Sequence, residues 1–256
     1  MFVLADLFPK GISPLFEWDD FGPLGLNKTV VMVLVASVLC LFVFLWGSRR
    51  KALIPVGLQN FAESGYEMVE QNISVEVIGG EDGKKWTPFL ASMFFFILFI
   101  NVWSIVPGIQ FPATSRIAIP VMLAIVTWIV FIVVGFKHQG PLYPIKACAP
   151  SGVPGALLPL VFVIEFFSKF LVRPFSLAVR LFATMVAGHV LLTVFAVMCQ
   201  ELLNHNSGIY QLLFVPFPFF GLIFMTAFEI LVAFLQAYIF TMLTAVYIAE
   251  SAHPDH

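Results

Sequence analysis

Residues 174–200 read PFSLAVRLFATMVAGHVLLTVFAVMCQ, and the only formal charge in that run is Arg180. A helix rises about 1.5 Å per residue, so the run outlasts the roughly 30 Å hydrocarbon layer that it is apolar enough to cross. It belongs to one of two long apolar stretches at the C-terminal end, 154–200 and 209–249, separated by the polar run Glu201–Gly208. Neither fits as one upright helix. Each is predicted to be tilted, kinked or broken, with Pro159, Pro174, Pro216 and Pro218 as the places for it. Together they read as a long tilted hairpin.

The rest of the chain has the same character. Its 256 residues are 60% hydrophobic and only 11% charged, with thirty phenylalanines; soluble domains carry about 25% charged residues. Mean hydropathy is +0.98. A soluble core of this size cannot hide so much apolar surface, so the class is all-α integral membrane protein. A net charge of −2 gives no reason to expect a nucleic-acid partner. Cys40, Cys148 and Cys199 are odd in number and lack C-x-x-C spacing, which argues against a disulfide framework or a thiolate metal site. No phosphate loop, H-E-x-x-H or nucleophile elbow is present, so no cofactor is expected. The start, MFVLADLFPK, lacks the basic and apolar regions of a removable signal, and the first apolar span is expected to direct insertion.

Three spans, 29–47, 87–107 and 117–136, carry no charge and read as plain lipid-facing or packing helices. Between the first two, Val56, Phe61, Tyr66, Met68, Val69 and Ile73 alternate with Gln59, Glu63, Glu67, Glu70 and Gln71. That pattern predicts an amphipathic surface helix over 56–76. Gly79–Gly83 reads as an aqueous turn and 137–154 as a loop. The chain is therefore a single membrane domain, 1–256, with a tail over 1–28. It has about five membrane-embedded helices and one surface helix. Arg49, Arg50, Lys51, Lys84 and Lys85 lie in one interval and Lys137 and Lys146 in another. The positive-inside rule then puts the N-terminus outside and the C-terminus in the cytoplasm.

Charges inside the spans are concentrated in the C-terminal hairpin: Glu165, Lys169, Arg173, Arg180 and Glu229, with His189 and Gln236. Each charge at the bilayer centre costs about 2.5–3.5 kcal/mol on insertion scales, so such residues face protein or water and tend to be functional. Helical spacing puts Thr184 and Ala187 on the face of Arg180, with Ala183 beside them, and His189 on the opposite face. Small residues there let another helix approach the guanidinium. The bland alternative is an arginine that caps carbonyls or pairs with Glu229. Glu229 and Gln236, seven apart, share a face with Ala233 and Ala237 nearby. His189 is either a packing residue or one half of a titratable pair with Glu229. Glu165 either lines a polar entrance or pairs with Lys169 one turn away. Lys169 and Arg173 read as interfacial anchors, and Glu250 as a surface charge.

The run from Arg173 to Phe182 followed by Ala187-Gly188-His189 resembles the signature of subunit a of the F-type ATP synthase, and Glu229 through Tyr247 resembles its last helix. Phe99–Gly108 is similar to the family's first inner span, and Ala113-Thr114-Ser115 to the loop after it. The resemblance covers about residues 10–250. It implies the stationary, non-catalytic half of a proton-driven rotor, with two aqueous half-channels against a ring of c subunits. The implied partners are that ring, the b subunit of the peripheral stalk, the F1 sector through the complex, protons and the lipid bilayer. It also implies a bacterial cell membrane, with the mitochondrial inner membrane as the alternative. Arg180 matches the family's essential arginine and Gln236 its facing glutamine; His189 and Glu229 match its two polar positions on the proton path. Two departures stand out. Thr184 replaces the usual Asn four residues after the arginine, and the stretch from Glu165 to Pro174 is one residue longer. The competing classes are a secondary transporter, which usually shows internal repeats that are not seen here, and a membrane-embedded enzyme.

Overall fold

The computed structural model describes residues 28–49, 57–106, 113–148, 157–204 and 214–252. Among them every regular element is helical: α1 Lys28–Arg49, α2 Leu58–Val69 continuing as a π-helical segment Glu70–Gly79, and α3 Gly80–Val102. A 3-10 turn, Ala113–Ser115, precedes α4 Ala118–Gln139 and the short α5 Tyr143–Cys148. The C-terminal part consists of α6 Leu158–Phe166, a π-helical segment Phe167–Val172, α7 Arg173–Asn204 and α8 Pro216–Ala252. Five stretches are long and apolar enough to cross a membrane: Thr29–Gly47, Leu58–Val102, Ala118–Gln139, Leu158–Leu202 and Pro216–Ala252.

The packing follows lipid rules. On α1, Leu34, Val38, Leu41 and Leu45 point outward while the smaller Ala36, Cys40 and Val43 are buried. Lipid tails are as apolar as leucine, so close packing and hydrogen bonds decide which face turns inward. The small stripe lets α1 approach α3, where the Cys40 thiol lies 3.7 Å from the Ser92 carbonyl. The core itself is built by Leu90, Phe94, Phe95 and Ile97 of α3, Leu177 and Leu181 of α7, and Ala237, Phe240 and Ile248 of α8.

The helix expected over 56–76 is one-sided as its pattern requires. Gln59, Ala62, Val69, Ile73, Ser74 and Ile78 are buried, and Glu63, Glu67 and Glu76 are exposed. It runs on to Gly79, where the chain turns. Gly79 and Gly80 have φ of 98° and 37°, which side chains with a Cβ rarely adopt. Just past the turn, the Ser74 hydroxyl donates to the Gly83 carbonyl at 2.5 Å, and a methyl at Gly83 would strike the Ser74 carbonyl.

Several expectations are corrected. The interval 137–154 is not all loop. The α4 helix continues through Lys137 and His138 to Gln139, and Tyr143–Cys148 is helical. Three of the prolines lie at helix starts rather than at mid-helix kinks: Pro159 at the first positions of α6, and Pro216 and Pro218 in the first turn of α8. A proline is tolerated there because those N–H groups have no intrahelical partner. Pro174 differs: α6, the wider-wound segment Phe167–Val172 and α7 form one continuous helical stretch, and the irregularity falls just ahead of Pro174, at the place expected for it. The tail 1–27, the starts of both long stretches (154–156 and 209–213), Pro107–Gly108 and the turn beyond Asn204 lie outside the described residues.

Candidate functional site

The C-terminal hairpin holds the candidate residues on two different surfaces. Arg180 is exposed, as are Ala183 and Ala187, with Thr184 half-buried among them. This is the outward face that helical spacing predicts. The Thr184 hydroxyl donates to the carbonyls of Arg180 at 2.9 Å and Leu181 at 3.3 Å, so it is satisfied within its own helix. The opposite face of α7 turns inward, and His189 is buried there at 6% exposure.

On α8 the inward stripe is Glu229, Ala233, Gln236 and Ala237, the two polar members each only 3% exposed. Gly188 brings Glu229 against α7. A methyl on that glycine would lie 3.5 Å from the Glu229 Oε1 atom, and the neighbouring residue is His189. One end of the hairpin is fixed by Gly221, where a methyl would come within 2.5 Å of the Phe195 ring. Carried along two antiparallel helices, this register sets Gln236 opposite Arg180 and Leu181. The guanidinium thus sits at the glutamine's level but on the outer surface, and it does not pair with Glu229. Both Glu229 oxygens and the Gln236 amide nitrogen are buried without a hydrogen-bond partner among the described residues.

A third polar group closes on Glu229 from the turn that follows α3. The Ser104 hydroxyl lies beside the carboxylate and donates to the Asn101 carbonyl at 2.8 Å. Thr114 in turn donates to the Asn101 side-chain oxygen at 2.9 Å. Asn101, Ser104 and Thr114 are all almost fully buried. In the sequence they stood out only as polar residues at the end of an otherwise apolar span and as part of the stretches Phe99–Gly108 and Ala113–Ser115 that carry the family resemblance, neither of which places them beside Glu229.

Glu165 and Lys169 form an ion pair at 3.1 Å, away from this cluster by several turns of helix. Glu250 is exposed, as a surface charge should be, but it is not alone: Arg173 bonds to it at 2.6 Å, and the Arg173 guanidinium stacks 4.8 Å from the Tyr247 ring centre. No spacing rule joins residues so far apart in sequence. Next to them the Tyr143 and Ser251 hydroxyls are 3.0 Å apart, and Gln139 donates to the Ser251 carbonyl at 3.0 Å. No group of three or more metal-ligating side chains occurs among the described residues.

Comparison with known proteins agrees in extent as well as in motif. Residues 29–249 match the family described as ATP synthase A chain. ATP synthase subunit a of Frankia alni is 43% identical, over 99% of this chain and 90% of that protein. The Streptomyces lividans subunit a is 40% identical, over 95% and 86% of the two chains. That of Beijerinckia indica is 40% identical, over 97% and 99%. Matches of that length and identity, on a bundle of membrane-crossing helices, show that the chain belongs to the ATP synthase subunit a family.

Proposed function

We propose that this chain is the stationary proton-channel subunit of an F-type ATP synthase, with Arg180 as the fixed charge that couples proton flow to rotation of the c ring. The observation that supports this reading most is the exposed guanidinium on an outward strip of small residues. An arginine facing lipid would cost several kcal/mol, so that face calls for an anionic partner on another chain. A ring of c subunits, each bringing a carboxylate past the strip, supplies one.

The chemistry follows from the residue types. A guanidinium keeps its proton inside a protein where a buried lysine can lose it, so Arg180 serves as a permanent charge. A ring carboxylate arriving beside it favours its ionised form and releases a proton to one half-channel. Before turning into lipid it must be neutral again, and it takes a proton from the other. Each proton is driven by about 2.3 kcal/mol per 100 mV of membrane potential. Arg180 also opposes a direct leak between the half-channels. His189 and Glu229 relay protons in one of them, the outer one in our reading, and Gln236 lies behind the arginine on the second helix. For Glu165 the ion pair with Lys169 supports an interfacial pair over a channel entrance. The subunit catalyses no bond change itself. The b subunit and the F1 sector are its further partners, and its membrane is the bacterial cell membrane, with the N-terminus outside and the C-terminus cytoplasmic.

The test is ATP-driven proton pumping in vesicles carrying the assembled complex. Arg180→Lys should abolish pumping while assembly persists, and Arg173→Lys, which keeps its charge against Glu250, should pump normally. Normal pumping by Arg180→Lys would overturn the assignment.

A further inference from the structure

At the end of the bundle where α3 begins and α4 and α8 finish, a cavity of about 420 Å³ opens between them. Ala252 borders it, about four helical turns beyond Gln236, so it is separate from the polar cluster described above. Its apolar lining is the buried Ile78 and Val134 with the exposed Val133 beside them. Its rim carries Asp82, Lys85, Lys137 and His138, with the Trp86 indole beside them.

The rim charges do not cancel. Lys85 is bound to Asp82 at 2.6 Å. Lys137 and His138, in the last turn of α4, form no ion pair among the described residues. An apolar wall under a free cation, with a tryptophan at the rim, matches the boundary between acyl chains and headgroups. A ligand that uses both parts has a hydrocarbon portion against Val133 and Val134 and an anion at Lys137. A small soluble anion gains nothing from the wall, and a zwitterionic lipid brings a cation back towards the lysine.

We propose that this cavity holds the phosphate headgroup of an anionic phospholipid, with Lys137 as its principal contact and the Ile78–Val133–Val134 wall against its first chain carbons. Basic pockets between helix ends recognise phosphate headgroups in this way. Each Lys near a membrane surface accounts for about a fivefold gain in retention of anionic lipid.

The test is photolabelling of the assembled complex by a phosphatidylglycerol with a diazirine high on its acyl chain, with labelled peptides mapped by mass spectrometry. Phosphatidylglycerol should label the α4 C-terminal peptide about fivefold or more over the phosphatidylcholine analogue, and Lys137→Gln should remove most of that preference. Both Lys137 and the control Lys84 are exposed, so neither substitution disturbs packing, and Lys84 does not line the cavity. Lys84→Gln should leave labelling unchanged. Equal labelling by the two lipids, or equal losses from the two variants, would overturn the proposal. Competition by inorganic phosphate alone would assign the site to the free anion and overturn the lipid as its occupant.

Discussion

The bond between Arg173 and Glu250 ties the start of α7 to the end of α8, two helical turns before Arg180, and its strength can be worked out from its surroundings. The contact is short, at 2.6 Å, and the side chains are 20% and 42% exposed. A hydrogen bond between charged groups contributes about 1.5–3 kcal/mol when shielded, and an open surface pair about 0.2–1. The exposure of Glu250 pulls the pair towards the lower range, so about 1 kcal/mol of coupling is expected. Arg173 also has the Tyr247 ring, which adds roughly 0.5–1 kcal/mol. Arg173→Gln should therefore cost about 2 kcal/mol and Glu250→Gln about 1, with the double variant no worse than Arg173→Gln alone. The assay is a double-mutant cycle on the thermal release of this subunit from the detergent-solubilised complex. Strictly additive losses would refute the pair as a stabilising contact. A greater loss from Glu250→Gln than from Arg173→Gln would refute the contribution of the ring.

Three further outcomes can be stated. Because the Thr184 hydroxyl donates only to carbonyls of its own helix, Thr184→Val should pump within about fivefold of the parent, since one such neutral bond nets only about 1 kcal/mol; a tenfold loss in vesicle pumping would show a partner on another chain. Gly83→Ala puts a methyl into the Ser74 carbonyl, a backbone atom that cannot rotate away, and should lower stability by about 1–3 kcal/mol in the same release assay. An unchanged release temperature would count against the tight turn between the π-helical segment and α3. Burial pushes the Cys148 thiol above the ordinary thiol range, with Lys169 acting weakly in the other direction. A raised value means less thiolate at neutral pH, so Cys148 should resist maleimide at pH 7 and react appreciably only above the usual thiol range, as followed by peptide mass spectrometry. Fast labelling at pH 7 would contradict its burial.

What the sequence made legible followed from period and polarity. The apolar spans are long, so the five crossing stretches could be read from composition. A charge at helical spacing also announces its face, so Arg180 with Ala183 and Ala187 outward and His189 inward could be read from 3.6-residue geometry. The stripe of Glu229, Ala233, Gln236 and Ala237 was legible for the same reason. Proline was legible at Pro174, where the wider-wound segment Phe167–Val172 breaks the regularity of a continuous helical stretch. It misled at Pro159, Pro216 and Pro218, which lie at helix starts, where a missing N–H costs nothing.

Contacts between distant helices obey no period, and that is where the candidate site was least legible. Asn101 meets Thr114 across the end of α3, and Ser104 reaches Glu229 only because α3 packs against α8. Arg173 finds Glu250 by the same route, through the hairpin register. That register is set by absences rather than by charged groups: the missing side chains at Gly188 and Gly221 let α8 approach until Glu229 and Phe195 fill the space. In water, burial of apolar area would hold two such helices together with less regard to register. In lipid that term is gone, and the depth at which Gln236 comes level with Arg180 rests on where the glycines let the backbones close and where Arg173 clamps the far end.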